Sequence, residues 1–230
     1  MICRFGPSGK QLKAKELMWS DLLKPWQACF ELAWEAYCED CIPIGAVVTD
    51  ENGKILSRGR NRVYPRWMWE QRPSTGADIA HAEVEALQHL DYTDLDQYFC
   101  ILYTTTEPCP MCMGMFYMSG VRTLHFAARD PFAGSTNMLG TTWYLNRKPI
   151  KVSGPDLVLE SIIVSLFVEQ ELGFHSGKFP EGLFWEMYGK AIPEGIGLGR
   201  RLYEQGELRT MRKGGMTARD VYDRLTNFVK

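Results

Sequence analysis

The sequence lacks any long apolar run. The longest, 161–168 and 44–48, fall far short of the roughly 18 to 20 residues that cross a bilayer, so neither a membrane span nor a membrane partner is expected. The first fifteen residues carry Arg4, Lys10, Lys13 and Lys15 but no continuous apolar segment of the kind a secretory signal needs, and a cytoplasmic protein is the expectation. Net charge is small, −2, which gives no long-range attraction to polyanions. Proline and glycine are moderate at 12 and 21 of 230 residues, with 45% hydrophobic and 23% charged. That composition excludes a low-complexity or globally disordered chain. No internal repeat is present.

What the chain does have is enough length to bury a core without staples and an odd number of cysteines, seven. In a reducing compartment such thiols are metal ligands or core filler more often than bridges. Charge is uneven along the chain: residues 1–174 hold 16 basic and 21 acidic side chains, a balance of −5, and residues 175–230 hold 10 and 7, a balance of +3. Arg200, Arg201, Arg209, Arg212 and Lys213 concentrate that excess, and a solvated face is its ordinary reading.

Apolar residues recur at Trp26, Cys29, Phe30, Ala33, Trp34 and Tyr37, the spacing of one helical face. Residues 42–48 and 54–59 are strand-like and flank Asp50-Glu51-Asn52-Gly53, a turn that predicts a hairpin. Residues 61–78 hold Pro65, Pro73, Gly76, Tyr64, Trp67 and Trp69 and read as a long loop. Helical character at 81–90 and 109–118 alternates with strand character at 99–105 and 121–127, which implies right-handed crossovers and a mixed, largely parallel sheet. A further helix is expected over 157–172 and a last one over 218–229. Between them Gly195-x-Gly197-x-Gly199 reads as a turn region.

Two short motifs carry chemistry: His81-Ala82-Glu83, and Pro108-Cys109-Pro110-Met111-Cys112. Cys109 and Cys112 are three apart, so a helix starting there projects both sulfurs from one side, and its positive end favours thiolates. His81 and Glu83 are two apart and would diverge in mid-helix, so the pair must straddle a helix start. One imidazole with two soft sulfurs selects zinc and leaves a fourth position for water, whose pKa the metal lowers towards about 7. Glu83, beside the metal but not bonded to it, is then placed to move protons. Cys38-x-x-Cys41 repeats the spacing without a second ligand pair and reads as core filler. His89, His125 and His175 are unclustered and receive no role.

These residues resemble the H-x-E and P-C-x-x-C signature of zinc nucleobase deaminases. The neighbouring Ile44-Gly45-Ala46-Val47-Val48, Gly59-Arg60-Asn61, Leu102-Tyr103-Thr104-Thr105-Thr106-Glu107 and Phe126-Ala127-Ala128-Arg129-Asp130 are similar to the tRNA adenosine deaminase and guanine deaminase branch of the cytidine deaminase-like superfamily. The likeness runs over about residues 26–172. It implies a three-layer α/β/α sandwich around a five-stranded sheet, with zinc held by His81, Cys109 and Cys112 and Glu83 as proton shuttle. By position it makes Asn61 a substrate contact and the backbone N–H of Ala82 a contact to the base. It also implies a homodimer. Trp67 and Trp69 join the substrate-binding candidates because aromatic rings stack on bases; filling the core or a subunit interface is their other reading.

The expected activity is hydrolytic, zinc-dependent deamination of a nucleobase or nucleoside, a purine first, by a zinc-activated hydroxide with release of ammonia. Its rivals are an editor of tRNA or single-stranded DNA, which would need a basic groove, and a non-catalytic zinc-binding interaction module. The expected organisation is an arm over 1–25, the deaminase domain over 26–174 and an extension over 175–230 that covers the pocket. Phe184, Trp185 and Tyr188 in that extension need something to pack on.

Overall fold

The computed structural model describes residues 18–63, 78–93, 95–178 and 181–229. Trp67 and Trp69 lie outside the described residues. Helix α1 (Lys24–Cys38) carries Pro25 in its first turn, where no hydrogen bond is lost. It leads into the expected hairpin, β1 (Gly45–Thr49) and β2 (Ile55–Arg60), paired antiparallel. Asp50 Oδ1 fastens the turn by accepting from the N–H groups of Asn52 and Lys54, each at 2.9 Å. Then come α2 (Ala82–Gln88), β3 (Ile101–Thr106), α3 (Pro110–Ser119), β4 (Thr123–Ala128), β5 (Lys151–Ser153) and α4 (Leu157–Phe174).

The sheet order is β2-β1-β3-β4-β5. Strand β1 is antiparallel to both its neighbours, while β3, β4 and β5 are mutually parallel. Four of the five strands therefore run the same way, as a mixed, largely parallel sheet requires. Side chains alternate across the pleat. Ala46 and Val48 face α2 and α3 together with Leu102, Leu124, Leu87 and Phe116. Val47 and Tyr103 face the other side, where α1 packs through Ala28, Cys29 and Leu32. Helices on both faces make the three layers.

The chain then adds α5 (Leu183–Ala191), α6 (Pro193–Gln205), α7 (Glu207–Lys213) and α8 (Ala218–Thr226). They share one apolar core with α1 and α4, in which Phe30, Trp34, Ile162 and Leu166 meet Leu198, Leu202 and Tyr222. Helix α4 is accordingly buried nearly all round, as a helix covered on both sides must be.

The turn expected at Gly195, Gly197 and Gly199 is instead the body of α6. A Cβ at Gly195 would lie 2.8 Å from Val164 Cβ, and one at Gly199 would lie 2.5 Å from Val168 Cβ. Two glycines four apart let α6 settle against α4 more closely than any side chain allows. That packing offsets their poor helix propensity, about 1 kcal/mol each. The Cys38-x-x-Cys41 pair behaves as filler: α1 ends at Cys38, and Cys41 is buried beside Ala36. Among the described residues, no helix is long and apolar enough to cross a membrane.

Candidate metal centre and active site

The helix start that His81 and Glu83 had to straddle is the N-terminus of α2. His81 is its N-cap, with extended backbone (φ −80°, ψ 154°), and Glu83 lies in the first turn. The break in helical geometry between them lets two side chains two residues apart serve one site. Strand β2 holds this turn close. A Cβ at Gly59 would stand 2.2 Å from Ala82 O and 2.3 Å from Ala86 N, so glycine there lets α2 lie directly on the strand. Ser57 Oγ also donates to Ala86 O at 2.6 Å, and Glu85 Oε2 accepts from the Arg60 N–H at 2.7 Å.

Across from it, Cys109 caps α3 and Pro110 begins it. Cys109 Sγ and Cys112 Sγ lie 3.6 and 3.5 Å from His81 Nδ1, and the three donors are all within 4.8 Å of one another. Zinc–sulfur and zinc–nitrogen bonds of ordinary length in a tetrahedron separate sulfur from nitrogen by about 3.5 Å. The donor set therefore fits zinc, and among the described residues the group has three members. Hydrogen bonds from Cys112 and His81 bring the Cys109 thiol down to about 4. Cys112 is pushed far up by its bond to Cys109 and by burial. The hydrogen bond to Cys109 raises His81.

Glu83 is 3% exposed. Its Oε1 accepts from Thr104 Oγ1 at 3.1 Å, and its Oε2 lies 3.5 Å from Cys112 Sγ. Burial lifts this carboxyl above the usual carboxylate range. Thr104, in the middle of β3, was invisible as a site residue from sequence, because only the sheet brings it under α2.

A cavity of about 170 Å³ opens over these donors, with His81 and Cys109 in its lining. Asn61, the first residue after β2, lines it too and is fully buried. Its Oδ1 accepts from the Val63 N–H at 2.7 Å, while among the described residues its Nδ2 has no hydrogen-bond partner. A buried donor without an acceptor costs free energy until a ligand supplies one. Ala82 is buried in the first turn of α2, where helix geometry offers its N–H no acceptor. The opposite wall comes from α4 and α5, including Phe167, Phe184 and Tyr188. Of the expected site residues, the fold brings together His81, Ala82, Glu83, Asn61, Cys109 and Cys112.

Residues 21–128 match the family model described as the cytidine and deoxycytidylate deaminase zinc-binding region. The chain is 29% identical over 167 residues to a probable cytosine deaminase of Schizosaccharomyces pombe, covering 66% of this chain and 94% of that protein. It is 37% identical over 90 residues to a guanine deaminase of Bacillus subtilis, covering 37% of this chain and 50% of that one. It is also 37% identical over 102 residues to a tRNA-specific adenosine deaminase of the same bacterium, covering 43% and 56%. The alignments thus span nearly all of the yeast relative but about half of each bacterial one. Residues 21–128, just under half of the chain, are therefore a zinc-binding region of the cytidine and deoxycytidylate deaminase type.

Proposed function

We propose that the chain is a hydrolytic deaminase that replaces the exocyclic amine of a free nucleobase or nucleoside by oxygen, consuming water and releasing ammonia. The observation that carries the reading is the buried carboxylate of Glu83 held against a His/Cys/Cys donor set at the floor of a small cavity. Zinc bound by His81, Cys109 and Cys112 supplies Lewis acidity, which makes water nucleophilic at neutral pH. Every proton movement falls to Glu83. Thr104 anchors Oε1 and leaves Oε2 on the donor side, to take a proton from water and hand it to the ring nitrogen beside the amine-bearing carbon.

Asn61 Nδ2 orients the base by donating to a ring or carbonyl acceptor, and the Ala82 N–H adds a second donor. A purine is favoured, on kinship with the guanine and adenosine deaminases. A homodimer is proposed on kinship alone, and sedimentation of the purified protein measures it.

The test is ammonia release from adenine, guanine, cytosine and their nucleosides, set beside release from folded tRNA. Turnover of at least one free base or nucleoside, lost in Glu83→Gln with zinc still bound, is the expected result. Turnover of tRNA alone would overturn the choice of substrate, and wild-type rates in Glu83→Gln would overturn the role of Glu83. Silence on every substrate would leave the zinc-binding interaction module.

A further inference from the structure

The wall facing the metal centre belongs to α5, and the end of β4 ties that helix down. Arg129 places its Nε and Nη2 on the carboxylate of Glu160 at 2.8 and 2.7 Å. The Glu160 side chain is only 3% exposed. The same Nη2 also donates to Ala191 O at 3.1 Å. Ala191 is the last residue of α5, where the carbonyls lack helical partners and the helix dipole is negative, so a fixed guanidinium is favoured there. One residue on, the Asp130 carboxylate accepts from the N–H groups of Phe132 and Ala133 at 3.0 and 2.9 Å. One turn back along α5, burial raises the Tyr188 hydroxyl well above its ordinary pKa, and the negative charge of the nearby Asp130 adds to the shift.

Aromatic rings complete the attachment. Phe184 meets Phe132 and Phe167 edge-on at 5.2 and 5.8 Å between centroids, and Phe167 stacks on Trp185 at 5.5 Å. Two sides of α5 are therefore committed, one to the core through Trp185 and Tyr188 and one to the cavity through Phe184 and Tyr188.

We propose that α5 is a fixed wall that sets the size of substrate the metal centre accepts. Phe184 and Tyr188 are its specificity-determining side chains, and Arg129 is the positioning residue that keeps it in register. The proposal rests on the deaminase reading of the same site and names the side chains that hold it to free bases and nucleosides. A base presented on a phosphate-bearing strand must displace α5 to approach from this side. Lysine cannot replace Arg129, because one ammonium cannot grip a carboxylate in a fork and reach a carbonyl as well.

Two measurements on the zinc-loaded full chain test it. The first is the ratio of kcat/KM for a free base to that for its nucleoside 5′-monophosphate. A single methylene more or less in an apolar pocket is worth about 10- to 200-fold in such ratios, so Phe184→Ala and Arg129→Lys should lower the ratio by at least about tenfold, with Arg129→Lys acting more on KM than on kcat. The second is the ratio of zinc-transfer rates to a small and to a bulky chromogenic chelator, which should fall in the same variants.

Leu183→Ala, on the exposed side of α5, should move neither. Should Phe184→Ala lose its fold, Phe184→Leu reads the same ratios. If no base yields ammonia, the deaminase reading fails and the chelator ratio still decides the wall. A folded Phe184 variant with an unchanged ratio in either measurable readout overturns the proposal, as would an Arg129→Lys that loses stability without altering selectivity.

Discussion

The two sides of the cavity are built in different ways. The metal side takes its donors from the first turns of α2 and α3, between His81 and Cys112, and each side chain is aimed by a local device: an N-cap, a proline at the helix start, a glycine under the helix. The facing side takes Phe167, Phe184 and Tyr188 from helices whose placement depends on contacts far along the chain. Chemistry is thus fixed by short-range geometry and substrate size by long-range packing. A change on one side should leave the property of the other largely intact.

The largest break in that comparison comes from the metal side. Cys112→Ala removes a fully buried donor and leaves only two, so bound zinc should fall from one per chain to near none, with ammonia release lost; metal analysis beside the activity assay checks it. Glu83→Gln comes next. General acid–base catalysis contributes about 10² to 10⁴ in rate, and the drop should come in kcat, with one zinc retained.

Paired glycine substitutions sharpen the contrast at smaller cost. In Gly59→Ala the new methyl would meet the backbone of α2 at 2.2 Å, which cannot yield without moving His81 and Glu83. Overpacking of this kind costs roughly 1 to 3 kcal/mol, and the expected signature is weaker zinc binding with lowered kcat. Gly199→Ala puts its methyl 2.5 Å from Val168 Cβ, pushing α6 off α4 at a similar cost, about 1 to 3 kcal/mol. Here zinc content should stay whole while thermal stability drops and discrimination by size loosens. Loss of zinc in Gly199→Ala, or its full retention with wild-type kcat in Gly59→Ala, would show that the two sides are not separable.

The same contrast decides what was legible in the sequence. His81, Glu83, Cys109 and Cys112 could be read because their chemistry demands fixed spacings at helix starts, and the strands could be read because their alternation is local. Thr104, Arg129 and Asp130 could not be assigned roles, since nothing in their neighbourhood says which helix lies above the strand. Helix α6 was misread for a related reason. Its glycines look like a turn until the valines of α4 are set against them.

One signal was available: large apolar residues of the segment 157–174 fall on every side of the helix, which already calls for a second layer of helices over it.

The smallest expected effect lies deep in that second layer. Glu169 is 1% exposed; its Oε2 accepts the Tyr37 hydroxyl at 2.5 Å, and Arg209 Nε stands 3.9 Å from its Oε1. Burial outweighs the hydroxyl and the nearby Arg209 and Arg212, and raises the carboxyl above its ordinary value. The folded chain then holds a proton that the unfolded chain has already released. This group's contribution is fully present below the ordinary glutamate pKa of about 4.3 and is lost as pH climbs through the raised value. Glu169→Gln keeps an acceptor for Tyr37 and removes the charge, so the fall in melting temperature with rising pH over this window should flatten, while kcat for a free base stays at the wild-type value. An unaltered slope would mean that Glu169 is already ionised in the folded chain, its charge balanced by Arg209.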